Sequence, residues 1–136
     1  MDRPSTPAVV VPPAEAEPQP VARARGARMA VLIGAREGAP RFITRRFLLD
    51  PGARIPLHRH DTIEHEQVVV RGEMVITLDG ERRVVRAGDA VFLPAGCAHA
   101  YENLGADEVE FICVVPSSRD YQTEWLEDPP PGACAG

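Results

Sequence analysis

Eight short runs rich in Val, Ile and Phe follow one another between residues 28 and 116: RMAVLIG, RFITRRFLL, EQVVVRG, EMVITL, RRVVRAG, AVFLP, CAHAYEN and EVEFICVVP. Each is bounded by Gly, Pro, Asp or Asn, which punctuate strands rather than helices. No long stretch repeats apolar residues at helical spacing. Strands of this length at regular intervals predict an all-β sandwich or barrel. The Asp79–Gly80 pair within LDGERRVV predicts a tight hairpin, because such turns need positive φ. RGE and RAGD mark further turns.

With 136 residues, 44% of them hydrophobic, the chain has material for one core and not two. Residues 28–116 are the expected barrel. Residues 1 to about 27 contain six prolines and no aromatic residue. That composition buries too little apolar surface to offset the entropy of ordering, so a disordered Pro-rich tail is expected. Residues 117–136 form a C-terminal extension. One helical turn is expected in SSRDYQTEWLE, with EDPPPGACAG a loose end.

The formal net charge of −5 leaves no basic surplus to displace counterions, so nucleic acid is not an expected partner. No apolar run approaches the roughly 18 residues needed to span a bilayer. Asp2, Arg3 and the early prolines do not resemble a secretion signal. The cysteines, Cys97, Cys113 and Cys134, are odd in number and form no CxxC, as expected of free thiols in a reducing cytoplasm. Two-sided apolar strands with edges to cover predict a homodimer.

The chemistry concentrates in HRHDTIEHEQ. Of four histidines, three (His58, His60 and His65) fall within eight positions, and His99 is the fourth. His58 and His60 are two apart, so on a strand they project from one face. His65 and Gln67 share one face of the next strand, and Glu64 and Glu66 share the other. Imidazoles converging on one point about 2 Å from an ion make a metal site. Strand parity alone leaves open which of these two pairs joins His58 and His60.

GARIPLHRHDTIEHEQVVVRG, residues 52–72, resembles the first motif of the cupin superfamily, and GDAVFLPAGCAHAYEN, residues 88–103, resembles the second. The second matches throughout: Gly88, Pro94, Gly96, His99 and Asn103 all stand at the family's spacing. The resemblance implies a double-stranded β-helix (jelly-roll) barrel with a metal near its mouth. The family's third ligand stands seven residues before the closing glycine of the first motif, commonly as a glutamate. Counting back from Gly72 places His65 there, so the resemblance implies His58, His60, His65 and His99 as ligands. The alternative register would use Glu64 or Glu66. Zinc-dependent polyketide cyclases of the cupin class are similar in pairing histidines with a glutamine, which brings Gln67 to the metal. Tyr101, two positions beyond His99, and Arg46, as an anion clamp, complete the candidate catalytic residues.

Imidazole-rich sites suit one divalent transition metal per subunit: Fe, Ni, Cu, Zn or Mn. No nucleophilic triad, phosphate loop or paired catalytic carboxylate is present, so any reaction falls to the ion. The expected activity is that of a metal-dependent enzyme on a small enolisable, phenolic or carboxylate-bearing substrate, with dioxygenation ranked first. A redox-neutral cyclase, isomerase or decarboxylase ranks second, and a non-catalytic small-molecule binder third.

Overall fold

The structure is a computed structural model that describes residues 6–118 and 121–134. Ten strands run in chain order: β1 (Gln19–Pro20), β2 (Arg25–Ile33), β3 (Phe42–Arg59), β4 (His65–Arg71), β5 (Glu73–Leu78), β6 (Glu81–Arg86), β7 (Ala90–Leu93), β8 (His99–Glu102), β9 (Val109–Pro116) and β10 (Glu124–Trp125). They form one curled sheet whose main order is β6-β5-β8-β3-β9-β4-β7, with β2 and β10 also on β3 and β1 on β2. Every strand pairing in it is antiparallel. The jelly-roll expectation holds, and all eight runs read from the sequence are strands.

β3 is the spine. Its first part lies between β9 and β2, from Phe42 opposite Pro116 to Leu49 opposite both Val109 and Ala27. Its last part lies against β8 and β10. Over residues 43–55, Ile43, Phe47, Leu49, Ala53 and Ile55 turn inward, and the last three are buried. β9 alternates strictly, with Val109, Phe111, Cys113 and Val115 all inside. Phe111 stacks between Phe47 and Tyr101, with ring centroids 4.8 and 5.1 Å away. Ile63, Val69, Met74, Ile76 and Leu93 fill the remaining interior.

The turns follow the local sequence. Asp79 and Gly80 both take positive φ, 47° and 85°, which closes the β5–β6 hairpin with Leu78 opposite Glu81. Gly72 has φ 84°, and a Cβ there would lie 2.9 Å from the Glu108 carbonyl oxygen, so any side chain is excluded twice over. Asn103 is fully buried. Its amide donates to the carbonyls of Leu49 (3.0 Å) and Asp107 (2.8 Å) and accepts from the Gly105 N–H (3.0 Å).

Both termini depart from expectation. The described part of the Pro-rich segment is not loose: Gln19 and Pro20 pair with Met29 and Arg28, and the Val21 N–H bonds the Ala27 carbonyl at 2.9 Å. The C-terminal segment has a strand where a helical turn was expected, although residues 119 and 120 of that stretch lie outside the described residues. Trp125 pairs with His58 and Glu124 with Arg59. The Glu127 carboxylate then accepts from Arg54 at 2.6 Å and from the Leu57 N–H at 2.6 Å. An isolated helical turn is marginal in water, and an open strand edge with a buried-face aromatic to cover it wins.

Replacing Asn103 by Ala is expected to lower the unfolding free energy by about 2 kcal/mol, because it strands buried carbonyls of two segments. Denaturant titration measures this. A loss below about 0.5 kcal/mol would mean that water replaces the amide.

Candidate metal centre

The four histidines reach the barrel interior from three places. His58 is the penultimate residue of β3, His60 follows the strand, His65 opens β4 and His99 opens β8. His58 and His99 are register partners, so their rings meet directly, with centroids 4.2 Å apart. A bulge makes this possible. Ile55 faces Tyr101 and His58 faces His99, so three steps of β3 oppose two of β8. Pro56 stands in the gap, and without an N–H it cannot continue the ladder. The bulge switches the inward parity of β3 from odd to even, which turns His58 and His60 inside.

His58, His60 and His99 each offer a ring nitrogen within 4.8 Å of the others'. An ion about 2 Å from each ligand spans nearly that distance. His65 stands beside them, its ring 5.1 Å from that of His60 and 5.3 Å from that of His99. All four are at most 7% exposed.

The backbone selects the tautomers. Nδ1 of His58 meets the Pro56 carbonyl at 2.7 Å, Nδ1 of His99 the Cys97 carbonyl at 2.9 Å, and Nδ1 of His60 the Gln122 carbonyl at 3.1 Å. A carbonyl only accepts, so each Nδ1 carries the proton and each Nε2 keeps its lone pair. Burial lowers all four pKa values, to about 4 for His58, 3 for His65 and 2 for His99. Repulsion from neighbouring imidazoles, for all but His60, and from Arg45, for all but His99, pushes the same way. Neutral imidazoles with Nε2 lone pairs, that of His60 also meeting the Tyr121 hydroxyl at 3.4 Å, are the form that a transition metal takes.

A cavity of about 250 Å³ opens over the cluster, lined also by Arg45, Phe47, Gln67, Tyr101, Tyr121 and Trp125. Gln67 is 3% exposed. Its Nε2 donates to the Tyr101 hydroxyl at 2.6 Å, while its Oε1 is buried with no partner. An orphaned acceptor beside lone-pair nitrogens fits a cation, so the donor set suits a metal ion. Burial raises the Tyr101 pKa, so that hydroxyl stays protonated.

A family model for the Cupin domain matches residues 45–115. The chain belongs to the cupin family. The oxalate-binding protein of Thermotoga maritima is 33% identical to it over 70 residues, 52% of this chain and 58% of that protein. Quercetin 2,3-dioxygenase of Bacillus subtilis is 40% identical over 50 residues, 37% of this cupin and 15% of that enzyme. The chain therefore spans well under the full length of these curated relatives. Among solved structures, the polyketide cyclase RemF from Streptomyces resistomycificus superposes with a TM-score of 0.78 at 27% identity, over 95% of this cupin and 89% of that chain.

Of the residues expected from sequence, the cupin brings His58, His60, His65, His99, Gln67 and Tyr101 to one cavity. Glu64 and Glu66 are exposed on the opposite face of the strand. Arg46 is a correction: it does not line the cavity and pairs with Glu110 at 3.1 Å. Arg45 lines it instead, because the bulge lies between this part of β3 and the histidines and reverses the parity. Tyr121 and Trp125 were missed because the C-terminal segment that carries them takes its place only where Glu124–Trp125 pairs with β3. No helix among the described residues is long and apolar enough to cross a membrane.

Two outcomes are expected. The His65→Ala variant should hold metal at least about tenfold less tightly, whereas Glu64→Ala should match the wild type, as read by metal analysis after dialysis. The metal-free protein should lose stability as pH falls below about 6.5. From there down to the lowered folded-state values the unfolded chain takes protons that the buried imidazoles refuse. Melting temperatures flat from pH 7 to 5 would contradict it.

Proposed function

We propose that this cupin is a divalent-metal-dependent enzyme of redox-neutral type, a cyclase, isomerase or decarboxylase, acting on a small enolisable or phenolic substrate. One observation carries this: a cavity with an aromatic wall lies directly over four neutral imidazoles and an orphaned Gln67 oxygen, in a chain resembling a polyketide cyclase over 95% of its length. His58, His60, His65 and His99 would hold the ion, with Gln67 Oε1 as a further donor. A bound divalent ion supplies Lewis-acid polarisation of a carbonyl or enolate oxygen.

The chain's own residues do the rest. Phe47, Tyr101, Tyr121 and Trp125 present ring surface for a planar substrate, and Trp125 lies 4.9 Å from the His58 ring. Gln67 fixes the Tyr101 hydroxyl, whose retained proton is available to a substrate oxygen in the cavity. Apolar walls limit water around the reacting atoms and strengthen each of these contacts.

The match to quercetin 2,3-dioxygenase supports a second reading, oxygenation, which the sequence ranks first. Loading the metal-free protein with zinc, iron, copper, nickel or manganese and offering 1,3-diketones and polyhydroxylated aromatics separates the two. The expected result is conversion with zinc, without oxygen uptake, to products that are isomers of the substrate or its dehydration or decarboxylation products. Turnover only with a redox-active metal and with matching oxygen consumption would replace the proposal by the oxygenase. No turnover with any metal would leave a binding protein. In the first case Gln67→Ala is expected to lower kcat at least about tenfold, since it frees the Tyr101 hydroxyl.

A further inference from the structure

Most arginines of this cupin are paired at its surface. Arg28, Arg46, Arg54, Arg59, Arg71 and Arg86 each reach a carboxylate at 2.6–3.1 Å. Arg45 does not. It lines the cavity, where no Asp or Glu stands among the described lining residues. Its Nη1 donates to the Tyr121 hydroxyl at 3.2 Å and its Nη2 to the Cys113 sulfur at 3.2 Å. Its Nε is buried with no acceptor. The guanidinium lies over the rings of Phe47 and Tyr121, 5.2 and 5.9 Å from their centroids, which holds it in place.

A guanidinium stays charged at any physiological pH, and a half-buried cation without a counter-charge is costly unless a ligand supplies one. Five N–H donors are available on it, and neutral partners take two among the described residues. The four imidazoles add no negative charge, and a bound divalent ion would make the cavity more positive still. Among the described residues, therefore, nothing in the cavity balances this positive charge.

We propose that the ligand of this cavity carries a carboxylate and that Arg45 receives it, with the Tyr121 hydroxyl beside it as a second polar contact. Planar carboxylate and guanidinium match each other in donor geometry. Phe47 and Tyr121, which hold the guanidinium, also flank the space where the rest of an aromatic acid would lie. The inference rests on reading the cavity as the substrate site, and it narrows the substrate to an organic acid. Arg45 thereby sets specificity.

The only tryptophan of the chain, Trp125, lines the same cavity, so its fluorescence reports occupancy without any turnover. The zinc-loaded and metal-free proteins are titrated with benzoate and with benzamide, its uncharged isostere. Benzoate is expected to give a saturable response in both forms, with benzamide at least tenfold weaker. Arg45→Met should weaken benzoate at least tenfold while leaving benzamide unchanged, and Arg45→Lys should retain part of the affinity. Equal binding of the two probes, no saturable benzoate response in the wild type, or benzoate binding unaffected by Arg45→Met would each overturn the proposal. Benzoate binding that needs zinc and ignores Arg45 would do so as well, by assigning the anion to the metal. Should Arg45→Met fail to fold, the wild-type benzoate-to-benzamide ratio and the Arg45→Lys variant still decide. Absence of turnover with every metal would sink the enzymatic reading and leave this result standing, so the two failures are distinguishable.

Discussion

The arrangement of the cavity depends on one irregularity in β3. Between Ile55 and His58 three steps of this strand oppose two of β8, and the side of the strand that faces inward changes from odd to even positions. Before the bulge, Arg45, Phe47, Leu49 and Ile55 face in; after it, His58 and His60 do. A strand without the bulge could place either the core residues or the histidine pair inside, but not both. Pro56 lacks the N–H that would close the ladder there, and its carbonyl instead orients the His58 ring.

From that geometry the electrostatics follow. Four imidazoles are drawn into a space with no carboxylate among the described residues, and burial keeps them neutral. Backbone carbonyls hold protons on the Nδ1 atoms of three of them and aim Nε2 at a common point. The one full charge at the cavity wall is positive. The metal site and the anion site proposed above would both draw on the same feature, the lack of acidic side chains among the described residues of the cavity, while Glu64 and Glu66 stay outside.

Much of this was legible in the residues. The strand runs reflect a period of two bounded by glycine, proline and Asp-Gly, which local sterics decide. The two motifs singled out His99 and the His58–His60 pair, which share one cavity. The count to Gly72 separated the buried His65–Gln67 face from the exposed Glu64–Glu66 face. Arg45 was not legible, because alternation carried back unbroken from His58 and His60 puts Arg46 inside, and only the pairing with β8 reveals the extra residue. Gln19–Pro20 and Glu124–Trp125 were illegible for a related reason. Two-residue strands have no periodicity of their own and exist only where β2 and β3 offer open edges.

By itself the sequence determined the strand class, the tight turns and which histidines and glutamine share one face, since each depends on residues close together in the chain or on motif spacing. The tertiary structure alone decided which arginine enters the cavity, how Gln67 and Tyr101 join, and that Tyr121 and Trp125 close the wall. Those outcomes rest on register between strands far apart in sequence. Register follows from the summed packing and hydrogen bonding of whole strands, and a one-residue slip reverses which side chains face inward.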